Sequence, residues 1–383
     1  MATIDLWAKE GYLSIPDGNS IYFWGFSKGE NEPVQLPGPH IIVTEGETVI
    51  VNLTNTLSEP VSISFPGQTG VMVGGQPVHP QYSGDQLLSF VNYAAPGGGT
   101  VSYTFTAAHP GTFIYESGTN PHKQVPMGLY GGLVVRPSDY DQIANKTAYG
   151  AGTDTEFDRE YLIITGEIDA NLHQAVKEGK PYLVSNYLPR YWTMNGRCAP
   201  DTMTMEHVDT LPHQPYSSMI FAEPGEKVLI RYIGAGIDNH PLHPHGNHTR
   251  VIALDGRLLR NGAEDRSYER FTVVVSPGQT YDQIYKWDGL GYAPNNPIPT
   301  ILPNLRNMGI GDIGGTMWSG SPYLGEKGDI PQSVVSFNES GEYQFMLHSH
   351  SEPKITNWGE FPGGLITMIA IYPSLSQNVG KLE

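Results

Sequence analysis

Through Thr48-Val49-Ile50-Val51-Asn52-Leu53 apolar and polar residues alternate with a period of two, the pattern of a strand with one buried face. Ile41-Ile42-Val43 precedes it across Glu45-Gly46-Glu47, so the pair reads as a hairpin. Further strands are expected at 61–65, 87–93, 100–106, 112–116 and 131–135, separated by glycine- and proline-bearing turns such as Ala95-Pro96-Gly97-Gly98-Gly99. Short strands at this spacing predict an all-β class and a sandwich architecture, with helix confined to connections.

The second half repeats this pattern in order. Glu223-Pro224-Gly225-Glu226-Lys227-Val228-Leu229-Ile230 answers Thr44-Glu45-Gly46-Glu47-Thr48-Val49-Ile50-Val51 without a gap, and Ser340-Gly341-Glu342-Tyr343 answers His109-Pro110-Gly111-Thr112. Two copies of one sandwich explain the repeat. The expected division is domain one over 1–137, a polar linker over 138–159 and domain two over 160–383. Within domain two, the Gly-, Pro- and Asn-rich stretch near 285–331 reads as a long insertion.

Composition narrows the function. The 383 residues carry 39 acidic against 22 basic side chains, a formal charge of −17, and no basic run that could follow a phosphate backbone, so nucleic acid is excluded as a partner. No apolar run reaches the ~18 residues of a membrane span. The single cysteine, Cys198, allows neither an internal disulfide nor a cysteine-based zinc site. A hydrolase is disfavoured, since there is no Gly-x-Ser-x-Gly elbow.

Candidate chemistry lies in the histidines. Four fall within nine residues, His240, His243, His245 and His248, and His348-Ser349-His350 adds two more. In a strand, His243 with His245, and His348 with His350, would each share a face, so two such pairs on adjacent strands could converge. Imidazole without nearby thiolate or clustered carboxylate favours copper or zinc. His40, His79, His109, His122, His173, His207 and His213 stand alone and read as packed or surface residues.

The run His240-Pro241-Leu242-His243-Pro244-His245-Gly246 resembles the last-domain copper motif of the multicopper oxidases, and His348-Ser349-His350 resembles their His-Cys-His. Gly111-Thr112-Phe113-Ile114-Tyr115, the segment from Met127 to Leu133, and Trp192-Thr193-Met194-Asn195-Gly196 extend the likeness over most of the chain. The resemblance implies two cupredoxin-like Greek-key β-sandwich domains. It also implies that His240 stands at the type 1 histidine, His243 at a type 2 ligand, and His245, His348 and His350 at type 3 ligands.

Departures from that pattern shape the functional expectation. Ser349 replaces the type 1 cysteine, Lys354 the second type 1 histidine, and Gly359 stands near the axial methionine, so no blue centre is expected. In domain one, Ser64-Phe65-Pro66-Gly67 and Glu116-Ser117-Gly118 stand where the family carries histidine pairs. A full trinuclear cluster needs histidines from two domains, and rotating identical chains about a symmetry axis cannot supply them, although a homo-oligomer is compatible with the sequence. The resulting expectation is a copper protein with a partial, histidine-only site at His240, His243, His245, His348 and His350. It would use a small-molecule reductant or oxygen if it turns over, or else be a non-enzymatic copper-binding or structural protein. Export to the periplasm, cell surface or exterior is expected by resemblance, with any signal already removed.

Overall fold

The computed structural model describes residues 1–287, 303–305, 335–337, 343–372 and 380–382. Most of the expected insertion near 285–331 lies outside the described residues.

Domain one begins with a hairpin that the sequence pattern did not single out, β1 (Ala2–Ser14) and β2 (Ser20–Ser27). The strand β4 (Thr48–Asn55) runs parallel to β1 and antiparallel to β5 (Gly99–Thr106), giving the order β2-β1-β4-β5, which the short ladder of Met72–Val73 and Gln76–Pro77 extends. Facing it is a sheet of β6 (Gly111–Glu116), β7 (Tyr130–Arg136) and β3 (Gly38–Thr44), in that order. Val49, Val51, Leu53, Tyr103, Phe105 and Leu133 fill the space between the sheets.

The expected hairpin of β3 and β4 is not one. The two strands belong to different sheets, β3 pairing in parallel with β7 and β4 in parallel with β1. The turn, with Gly46 at φ 80 and Glu47 N–H donating to Thr44 O at 3.0 Å, carries the chain from one layer to the other. Both strands bury a face, and across the core Ile41 and Val43 join one apolar cluster with Val49 and Val51. The expected strand at 61–65 also shrinks, to bridges of Val61 with Ala94 and Ser64 with Glu116. Of the expected 87–93, a ladder covers only Gln86–Ser89, paired with Gln81–Ser83.

Domain two repeats the plan. Its first sheet has the order β9 (Tyr191–Met194), β8 (Arg159–Ile168), β11 (Lys227–Gly234), β15 (Thr280–Lys286), β13 (Thr249–Leu254), again with a parallel β8–β11 pair at its centre. The second has the order β10 (Ile220–Ala222), β17 (Ile366–Ile371), β16 (Tyr343–Ser349), β12 (His240–Pro244), β14 (Val273–Val275). Thus β16-β17-β10 matches β6-β7-β3, and β12 with β14 widens the domain-two sheet beyond its domain-one counterpart.

Residues 137–158 contain isolated bridges only, yet they are packed: Ala148, Tyr149 and Phe157 are buried against Leu229, Ile252 and Ile284. The described helices are short, α1 (Pro121–Gln124) and α2 (Ala170–Lys177). The latter is capped by Asp169, whose carboxylate accepts from Asn171 N–H.

The two sandwiches share a continuous apolar seam that includes Phe23, Leu36, Ile114 and Val134 from domain one and Leu162, Ile164 and Ile233 from domain two. Beside it lies a buried charge network. Arg231, fully buried, donates to Glu160 Oε1 at 2.6 Å, Asp282 Oδ2 at 3.0 Å and Thr112 Oγ1 at 2.9 Å. Arg136 adds a 2.6 Å contact to the other Glu160 oxygen, and the Tyr149 hydroxyl donates to Asp282 at 2.6 Å. Burial alone would raise the Glu160 pKa, but Arg231 and Arg136 hold it below its ordinary value.

Candidate metal centre

Strand β12 sorts its residues by face. His240, Leu242 and Pro244 turn into the domain, whereas His243 points outward. His245, one residue past the strand, continues that outer face. Antiparallel pairing with β16 sets His243 directly opposite His348, which brings in the third imidazole. Nitrogen atoms of His243, His245 and His348 lie within 4.8 Å of one another, the one such His, Cys, Asp or Glu group among the described residues.

Hydrogen bonds orient the rings. His348 Nδ1–H donates to Ser349 O at 2.8 Å, which leaves the Nε2 lone pair aimed at its neighbours. His243 Nδ1 lies 2.9 Å from Thr272 Oγ1, again leaving Nε2 for the cluster. His245 Nε2 then faces His348 Nε2 at 3.2 Å, and its buried Nδ1 has no hydrogen-bond partner among the described residues. Burial, then the neighbouring His348 and His243, pushes the His245 pKa down to about 4, and burial also lowers His243 and His348. Three neutral imidazoles crowd together here with no carboxylate among them, and two hold their outer nitrogens on protein oxygen. Histidine ligands of metals are commonly oriented in this way, so the donor set fits a metal ion with imidazole preference.

The other expected residues sit differently. His350 has its ring 4.9 Å from that of His243, but its side chain is 53% exposed and its Nδ1 lies 3.6 Å from Glu352 Oε1. His240 is not brought to the cluster. It is fully buried on the inner face of β12, with Nε2 3.2 Å from Glu167 Oε2. His248 is exposed, with its ring 5.3 Å from Phe271. Phe271 also packs edge-on to His243 at 6.0 Å, and it forms part of an open depression with His243, His245 and His248. Sequence reasoning missed Phe271 and Thr272. They arrive because Leu242 pairs with Val273 of β14, a register without a local signal.

Of the isolated histidines, His40 stacks on Tyr216 at 3.8 Å and His213 Nδ1 lies 2.6 Å from Val34 O. His173 sets its two nitrogens against Tyr22 O and Pro126 O.

A multicopper oxidase family model matches residues 31–140. The L-ascorbate oxidase of Cucurbita maxima is 33% identical over 327 residues, covering 78% of this chain and 50% of that protein. The chain is a multicopper oxidase-like family protein. Putative laccase-11 of Oryza sativa subsp. japonica is 26% identical over 270 residues, 69% of this chain and 42% of its own. The chain thus spans half or less of the length of these curated relatives. The solved structure of the multicopper oxidase mgLAC superposes with a TM-score of 0.64 at 23% identity, covering 98% of this chain and 88% of that one, which establishes the cupredoxin fold.

In this multicopper oxidase-like protein, the family match falls on domain one while the imidazole cluster belongs to domain two. The positions that resemble a type 1 centre are engaged otherwise. The Ser349 hydroxyl accepts from Ser351 N–H at 3.2 Å, and Lys354 Nζ donates to Asn239 O at 2.7 Å and contacts Asp238 at 3.1 Å. Glu167 receives the N–H of Ile237 and the Tyr187 hydroxyl as well as facing His240. In domain one the bridge between Ser64 and Glu116 occupies the place of the His243–His348 pair, with no imidazole on either side.

Proposed function

We propose that the chain is a copper-binding member of the multicopper oxidase group whose metal site is the domain-two cluster of His243, His245 and His348, with His350 able to swing in as a fourth ligand. The observation that carries this reading is the convergence of three imidazoles within 4.8 Å, two of them already oriented through Nδ1. Copper is the metal the family implies; zinc, which imidazoles alone would accept, gains no support from the relatives. Copper held there would supply a one-electron couple between a small reductant and oxygen.

The protein's own part is to keep the three rings neutral, to fix two of them on Ser349 O and Thr272 Oγ1, and to leave the outer side open toward Phe271 and His248. His240, committed to Glu167, is left out of the metal set. Without a thiolate the site has no blue electron-transfer partner, so turnover would be slow. The Lys354–Asp238 pair and the His240–Glu167 contact engage positions that resemble the type 1 set in structural bonds, which favours the second reading, copper binding without turnover. Residence outside the cytoplasm belongs to the same proposal. No described helix is long and apolar enough to cross a membrane.

Loading with copper, counting bound metal and following oxygen uptake with ascorbate as reductant tests both readings. Bound copper lost in His243→Ala, His245→Ala and His348→Ala variants supports the site. Oxygen uptake above that of free copper separates the enzyme from the binding protein. Copper retained by all three variants would place the metal elsewhere.

A further inference from the structure

A cleft of about 720 Å³ opens between the domains, away from the imidazole cluster, within the range of small-molecule pockets. Its floor is Tyr191 of β9, and one wall is the tight turn Asn357-Trp358-Gly359-Glu360. Asn357 and Glu360 exchange both backbone hydrogen bonds at 2.9 Å, and the two residues between them have positive φ, 50 for Trp358 and 88 for Gly359. That conformation suits Asn and Gly, and a tryptophan held there is a true outlier.

The turn is anchored from below. The Asn357 side chain donates to Ala199 O at 2.8 Å and accepts from Gly364 N–H at 2.8 Å, and Trp358 N–H donates to Arg190 O. Surroundings that over-determine a strained residue fix where its side chain points. The Trp358 indole is 53% exposed, and its ring centre lies 5.7 Å from that of Tyr191 at a 43° tilt. It packs on one aromatic neighbour and leaves surface open to the cleft.

The charged residues lining the cleft have one sign: Asp17 and Glu360 line it, and no lysine or arginine does so among the described residues. Asp17 is held by the Tyr191 hydroxyl, which donates to Oδ2 at 2.8 Å, and by Asn19 N–H to Oδ1 at 3.0 Å. Histidine is present as His173, but burial lowers its pKa, and its ring nitrogens are turned to the carbonyls of Tyr22 and Pro126. An exposed indole backed by the buried Tyr191 ring, two carboxylates and no lysine or arginine among the described lining residues make a receptor for positive charge carried on carbon: the indole face attracts a weakly hydrated cation, and the carboxylates add long-range attraction. We infer that this cleft binds a small organic cation of the substituted-ammonium class. The site is independent of the metal centre and of its proposed role.

Choline serves as the probe, 3,3-dimethyl-1-butanol as its uncharged isostere and cellobiose as a neutral sugar, each titrated calorimetrically into the full chain. Choline is expected to bind saturably, and the isostere about tenfold or more weaker, the scale of a desolvated cation–π contact. Trp358→Ala should lose about tenfold or more, with Trp358→Phe keeping part of the affinity. Asp17→Asn with Glu360→Gln should weaken binding and flatten its salt dependence, and His348→Ala should leave it unchanged. Should Trp358→Ala fail to fold, the Glu360→Gln change alone decides. Absence of saturable choline binding, equal affinity for the isostere, tighter binding of cellobiose, or full binding in Trp358→Ala would each overturn the inference.

Discussion

His245 and His348 face each other through their Nε2 atoms at 3.2 Å, one imidazole at the end of β12 and the other near the end of β16. Because His348 Nδ1 donates to a backbone carbonyl, the proton between the two Nε2 atoms belongs to His245, whose buried Nδ1 has no hydrogen-bond partner among the described residues. A metal ion would replace that proton.

Replacing His348 by Ala should therefore lower copper affinity by more than about tenfold, since even the groups that orient a ligand typically contribute 10–100-fold. Competition titration with a copper chelator measures it. The pKa of about 4 for His245 means the ring is neutral through the weakly acid range. Copper occupancy should accordingly hold at pH 6 and fall only as pH drops toward 4.

Copper-loaded protein should show no intense band near ~600 nm, where thiolate–copper charge transfer absorbs. Ser349→Cys alone should not create a normal blue centre. Lys354 is tied to Asp238 and Asn239, and His240 faces Glu167, so neither completes a trigonal ligand set. Visible absorption and electron paramagnetic resonance of the copper-loaded variant check this.

Truncating Arg231 to Ala should destabilise the fold by about 3–5 kcal/mol, the usual result of leaving buried partners of a charge unpaired. Asp282 would lose its buried guanidinium, and Glu160 would keep only Arg136. Denaturant unfolding at pH 7 measures the loss.

Burial pushes the Glu116 pKa up from 4.5 to about 7. Between those values the folded chain holds a proton that the unfolded chain has released. The contribution is thus fully present below pH 4.5 and is lost as pH rises through about 7. Glu116→Gln should melt close to wild type at pH 4.5 and a few degrees above it at pH 8, where ~1 kcal/mol corresponds to about 2–4 °C for a domain of this size. Melting curves across that range test it.

Much of the layered fold was legible in the residue pattern. The alternation at Val49, Val51 and Leu53 marks a strand whose inner face packs the core, and its counterpart around Val228 and Ile230 marks the repeat. What the pattern could not show was which neighbour each strand would take. Val43 and Val49 are both inward-facing, yet they sit in opposite sheets, a choice made by the distant strands β7 and β1. The cluster was legible for the same reason as the strands, because a period of two puts His243 and His245 on one face. His240 lies three residues before His243, an odd spacing that sends it to the other face, toward Glu167. The motif's compactness in sequence hid that split.

Ser64 meets Glu116 across the same kind of antiparallel bridge that joins His243 to His348. One polypeptide thus carries a site and its unarmed twin, folded together and always at equal concentration, temperature and solvent. Copper-induced protection from hydrogen exchange that appears around both bridges would belong to the scaffold. Protection confined to the second belongs to the imidazoles, so the molecule supplies its own blank.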